Sequence, residues 1–225
     1  MRHPTLPPAL LTAALTWFAS LALAGGAQAH PHIFIATALE LQVDAAGDLT
    51  GIAVSWSYDE MYSMLLLDEL SLDPDYDGVL EPGELAQLDG YDLRWMEGYE
   101  GDLYVTAPGG AAVVLGPPES LGVSFTDGVY TSRHLRRPVQ PLPAEGLVVK
   151  AYDPTLYTAY DLTGGVTVTG NAACGVTIVP HEEDRALKDL AAELAKIPAD
   201  ATEIDFPQVG EKFADAIRVS CGAGH

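Results

Sequence analysis

HIFIATALELQV (residues 32–43), DAAGD (44–48) and LTGIAVSWSY (49–58) form the stretch that decides the fold. Ile33, Ile35, Thr37, Leu39, Leu41 and Val43 recur at every second position, and so do Ile52, Val54, Trp56 and Tyr58. Period two over two runs of this length predicts two half-buried strands, because successive strand side chains point to opposite faces. The intervening Asp44 to Asp48 carries turn residues, so the pair reads as a hairpin.

Working outward toward the carboxyl end, Glu60 to Leu72 and Glu84 to Gly98 change to helical spacing. Met61, Leu65 and Leu66 mark the first segment, and Leu85, Leu88 and Tyr91 the second. Short strand-like pieces then return at 103–106, 112–115, 121–126, 129–135, 147–152, 157–162, 166–169 and 174–178. Pro108-Gly109-Gly110, Gly116-Pro117-Pro118, Asp127-Gly128 and Gly164-Gly165 separate several of them as turn signals. From His181 to Lys196 the spacing is helical again, with Leu187, Leu190 and Leu194 on one side. Gly210 to Val219 fits either a short helix or a strand. The expected fold is mainly β: a β-sandwich-like body over 30–225, an EF-hand-like helical insert at 59–99, and a C-terminal helical segment at 181–225.

Composition narrows the function. Hydrophobic residues are 48% of the 225, enough to bury a core and to exclude wholesale disorder. Acidic residues number 32 against 11 Lys plus Arg, for a net charge of −21. That balance opposes contact with phosphate backbones and with anionic lipid, and it suits a cation. Met1 to Ala29 has the pattern of a secretory signal peptide. Arg2 precedes the apolar run Ala9 to Ala24, and Ala27-Gln28-Ala29 is an A-x-A cleavage site. The mature chain would start at His30 in the periplasm or otherwise outside the cytoplasm. In an oxidising compartment Cys174 and Cys221, the two cysteines of the chain, are expected to pair, stabilising the fold by about 4 kcal/mol.

The strongest chemical motif is Asp73-Pro-Asp75-Tyr-Asp77-Gly78-Val79-Leu80-Glu81-Pro-Gly-Glu84, which fits D-x-[DN]-x-[DN]-G-x5-E at every fixed position. Ca2+ takes six to eight oxygen ligands. Asp73, Asp75 and Asp77 would supply side-chain oxygens, Val79 its carbonyl, Glu81 a water-mediated contact and Glu84 a bidentate carboxylate. Gly78 permits the turn, and Leu80 faces inward. Against the motif stands acid density: fourteen of the 32 acidic residues lie between Asp59 and Asp102, where chance matches are easier.

The second candidate is the new amino terminus, His30-Pro31-His32. In an extended chain both imidazoles share a face, and with the α-amine they suit copper, zinc, nickel or cobalt. His134, His181 and Asp153 are candidate completing ligands; two solvated histidines at a frayed end are the simpler alternative. Arg133, Arg136 and Arg137 read as a solvated basic edge. Trp56, Trp95 and the tyrosines read as core and interface. No nucleophile with its base, P-loop or dinucleotide fingerprint is present, so the chain does not read as an enzyme.

Six segments in order carry a family resemblance: HPHIFI (30–35), WSYDEMYS (56–63), the acidic loop, GPP (116–118), AYDPTLY (151–157) and FADAIRVSC (213–221). Together they resemble the domain of unknown function 1007 family, described as the periplasmic component of an uncharacterised ABC-type transport system. The resemblance spans nearly the whole mature chain and implies metal handling beside a membrane transporter of nickel, cobalt or zinc. Its label suggests a two-lobed α/β binding protein, whereas the residue pattern predicts a β-rich body.

Overall fold

The computed structural model describes residues 31–197 and 207–222. The expected signal peptide at Met1–Ala29, His30 and parts of the C-terminal segment therefore lie outside the described residues.

The opening hairpin forms as its alternation requires. β1 (Ile33–Val43) and β2 (Asp48–Tyr58) pair antiparallel, with Leu39 opposite Val54 and Leu41 opposite Ile52. Asp44 makes the turn: its Oδ1 accepts the amides of Ala46 at 2.9 Å and Asp48 at 3.0 Å. Gly47 adopts φ +90, open to glycine without steric cost. The first sheet adds β5 (Glu119–Thr126), β6 (Val129–Arg136) and β9 (Thr158–Thr169) in the order β5-β6-β2-β1-β9, and β7 (Leu142–Pro143) pairs with β2. β9 runs parallel to β1. The second sheet is β10-β11-β8-β3-β4, built from Cys174–Val179, Ala216–Cys221, Val148–Ala151, Leu103–Thr106 and Ala112–Val113. Leu39, Leu41, Ile52 and Val54 of the first sheet share one buried cluster with Val105, Val149, Ile217 and Val219 of the second. The fold is mainly β, with two sheets and a few helices.

Two expectations need correction. The segments 157–162 and 166–169 are one strand, not two. Gly164-Gly165 is a bulge within it: a Cβ on Gly164 would stand 2.8 Å from the Ala38 Cβ, and Gly165 has φ +88. Only glycine permits both the close approach and the reversed torsion. The second helix of the insert is also shorter than expected. α1 (Glu60–Leu70) forms, but α2 spans only Pro82–Leu88, and a single 3-10 turn follows at Tyr91–Leu93. Gly90 at φ +70 interrupts the helical path that the apolar spacing suggested. α3 (Glu183–Leu194) forms where the helical spacing placed it. Ala186 is its buried residue, whereas Leu187 and Leu194 are exposed.

Cys174 and Cys221 stand opposite each other at one end of the β10/β11 ladder, 3.9 Å apart at Cα, and are joined in a disulfide. Gly210 to Val219 resolves into a 3-10 turn (Gly210–Phe213) followed by β11. Among the described residues, no helix is long and apolar enough to cross a membrane.

Candidate metal centre

α1 is anchored before the acidic loop begins. Asp59 caps it, accepting the Tyr62 amide on Oδ1 at 2.8 Å, while its Oδ2 accepts the Phe34 amide of β1 at 2.9 Å. One carboxylate thus satisfies an orphan helix donor and ties the insert to the sheet. Ser63 lies fully buried, and its hydroxyl accepts the Tyr130 amide of β6 at 3.0 Å. The helix stops at Ser71, whose φ of 54 turns the chain left-handed.

The loop then folds around its first aspartate. Asp73 is buried and adopts φ +52; Tyr76 and Gly78 follow at φ +55 and +77. The Asp73 carboxylate accepts the amides of Asp77 and Gly78, both at 3.1 Å, and Asp77 accepts the Val79 amide at 2.8 Å. Glu84 closes the loop from α2. Its Oε1 accepts the Asp73 amide at 3.2 Å and its Oε2 the Glu81 amide at 2.9 Å. Pro82 at the helix start lacks an N–H that would be unsatisfied there anyway. Leu80 packs against the core, as its position in the motif requires.

This folding brings Asp73, Asp75 and Asp77 together, with one carboxylate oxygen from each within 4.8 Å of the others. Three negative groups so close repel one another unless a cation lies between them. The donors are hard oxygens, which suit calcium or magnesium rather than a soft metal. Glu81 and Glu84 stand outside this trio, and Val79 is at the surface. In this geometry Glu84 serves as the clasp of the loop.

The histidine candidates are scattered. His32 is exposed at the entry to β1, with its amide 2.8 Å from the Tyr157 carbonyl and its ring 4.9 Å from the Tyr157 ring. His134 is fully buried on β6, edge-on to Trp56 at 4.6 Å and to Trp95 at 5.8 Å. Burial, and then the neighbouring Arg136, push its pKa down to about 3. A fully buried ring cannot complete a site at an exposed terminus. His181 is paired with Asp215 at 2.8 Å. Asp153 is engaged by the Thr155 amide and hydroxyl and by the Thr158 amide. Among the described residues, none of these joins His32 in a group of three or more ligating side chains.

Two interior carboxylates lay outside the sequence reading. Asp92, from the insert, accepts the hydroxyls of Tyr58 at 2.9 Å, Tyr130 at 3.3 Å and Ser132, fastening the insert to β2 and β6. Asp102 accepts Tyr99 and Tyr160, each at 2.8 Å, and burial raises its pKa to about 6 against the opposing pull of those hydroxyls. The basic run also needs correction. Arg136 is 2% exposed, donating to the Gly116 and Glu100 carbonyls at 2.7 Å each and lying 4.6 Å over the Trp95 ring. It is a buried strut, because Trp95 offers a cation–π face and the two carbonyls offer acceptors. Arg133 and Arg137 do lie at the surface. The alternation that ends at Tyr58 was readable in the sequence; the convergence of Tyr58, Tyr130 and Ser132 on Asp92 was not.

A family model described as a protein of unknown function (DUF1007) matches residues 15–221. The match covers most of the chain, so the chain belongs to that family. No curated protein matches it.

Proposed function

We propose that this member of the DUF1007 family is an exported accessory protein that binds calcium in the 73–84 loop. One observation carries the reading: Asp73, Asp75 and Asp77 converge within 4.8 Å. Glu84 bridging to the Asp73 amide supports it, and so does the full EF-hand spacing of the sequence. In an EF-hand-like insert the bound cation would neutralise the trio and lock α1 to α2. An exported site needs a Kd of only ~10⁻⁴ to 10⁻³ M to fill. The signal-like Met1–Ala29 segment and the disulfide favour export.

The finer reading adds that His30 and His32 present nickel, cobalt, zinc or copper to a membrane transporter such as the ABC-type system that the family resemblance implies. Its support is the exposed position of His32 at the start of β1. It needs ligands other than buried His134, paired His181 and saturated Asp153. Without that role, the protein is a calcium-stabilised interaction module.

Calorimetric titration of the chain beginning at His30, with calcium and separately with zinc, tests both readings. Asp73→Ala and Glu84→Ala should each abolish the calcium isotherm and leave zinc unchanged. His32→Ala should weaken zinc alone. Undiminished calcium binding in Asp73→Ala would overturn the main reading.

A further inference from the structure

α1 is apolar on two sides. Ser63, Leu66 and Leu67 face inward, while Met61, Met64 and Leu65 are 59%, 63% and 57% exposed. A helix that only closed a core would carry charge on its outer side. Met61, Met64, Leu65 and Leu67 floor two adjoining concavities of roughly 480 and 600 Å³, which share Met64, Leu67, Asp73 and Tyr76. Phe125 and the Asp127-Gly128 turn between β5 and β6 form the far wall of the second. Carboxylates edge both: Asp68 and Asp73 at one, Glu60, Asp73 and Asp127 at the other. No Lys or Arg lines either of them.

We infer that this groove docks a basic amphipathic helix of a partner protein, with its apolar side on Met61, Met64 and Tyr76 and its Lys or Arg flanks on Glu60, Asp68 and Asp127. Apolar anchors spaced i, i+3, i+4 and i+7 suit a trough of this kind. Unbranched methionines adapt to anchors of differing shape. The acidic edge selects the charge of the occupant and speeds its encounter. A second copy of this chain is a poorer occupant, since it would bring its own carboxylates edge to edge at a net charge of −21 per chain. The 198–206 segment is no better, since it carries Asp200, Glu203 and Asp205 and no cation. The apolar floor lies on α1 and the far wall on β5 and β6, while Asp73, Tyr76 and Gly78 of the 73–84 loop complete the lining, so the inference rests on the shape of that loop as well.

The test uses two synthetic peptides of equal positive charge and about five helical turns. One is an amphipathic Leu/Lys helix; in the other, Gln replaces every Leu. Fluorescence anisotropy with the full chain should show the Leu/Lys peptide binding at least about tenfold more tightly, a difference of about 1.4 kcal/mol. Met61→Gln combined with Met64→Gln should erase that preference while the calcium isotherm stays as it was. Both side chains are exposed, so the fold is retained. Equal affinity for the two peptides would show charge attraction alone and overturn the inference. So would an unchanged preference in the double variant. Sedimentation showing that the chain dimerises, and that the double variant does not, would assign the groove to a second copy instead.

Discussion

Two sets of carboxylates in this molecule are built oppositely. Inside, Asp92 and Asp102 are met by tyrosine and serine hydroxyls, brought from the sheets except for that of Tyr99, which comes from the loop before Leu103. In the 73–84 loop the aspartates receive only amides of their own loop, and an oxygen of each is left facing the other two. The interior pattern is closed, because each of these two carboxylates has its hydroxyl partners within the fold. The loop pattern is open, because a cation is what would complete it. Acidic residues alone do not mark a metal site; what distinguishes one is whether the protein itself has already satisfied the charge.

The comparison breaks first if the interior is less essential than it looks. Asp92→Ala strands the hydroxyls of Tyr58 and Ser132, while Tyr130 keeps the Leu88 carbonyl, at a cost on the order of 3 kcal/mol. The denaturant midpoint should fall equally in calcium and in chelator. A loss confined to calcium would mean that Asp92 acts through the loop.

The loop should behave in reverse. With free calcium near 100 times Kd, the native chain gains about 2.7 kcal/mol over its chelated form, or roughly 5–10 °C in melting temperature. Asp77→Ala should melt with the chelated native chain in either condition. A calcium-dependent gain that survives in this variant would place the cation elsewhere.

The smallest effect sharpens the interior alone. Asp102 is held at about 6 against an ordinary 3.8. Between these values the folded chain binds more protons than the unfolded one, so this contribution falls as pH rises from about 4 to 6. His134 is held at about 3 against 6.5. There the folded chain binds fewer protons, so stability is lost as pH drops below 6.5. Each slope reaches at most about 1.4 kcal/mol per pH unit, and the two oppose each other from pH 4 to 6. The native chain should therefore change little across that window. His134→Phe should become more stable on acidification from pH 6 to 4, and Asp102→Asn less stable. Chemical denaturation at stepped pH reads both; parallel profiles in all three chains would remove the opposition.

Much of this was legible in the residues. The β1/β2 hairpin followed from strict alternation, the loop from ligand spacing, and the disulfide from two cysteines in a chain expected to be exported. Helix length in the insert was not legible, because apolar spacing persists through Gly90 while the backbone does not. Gly164-Gly165 looked like a turn because its signal is the same as that of a bulge; pairing with Ala38 on β1 decided between them. The Arg133–Arg137 run looked solvated because charge says nothing about depth. Trp95 and two carbonyls, distant in sequence, drew Arg136 inward.

By itself the sequence determined the local matters: the strands of the hairpin, the oxygen-donor loop, and the helical spacing of α1. These depend on neighbours a few positions apart, where torsional preference and side-chain period act directly. Tertiary structure alone decided the parallel seating of β9 on β1, the convergence of three hydroxyls on Asp92, and the burial of His134 between two tryptophans. Those depend on which distant segments meet when two sheets close over one core, and the alternation within a single strand leaves that choice open.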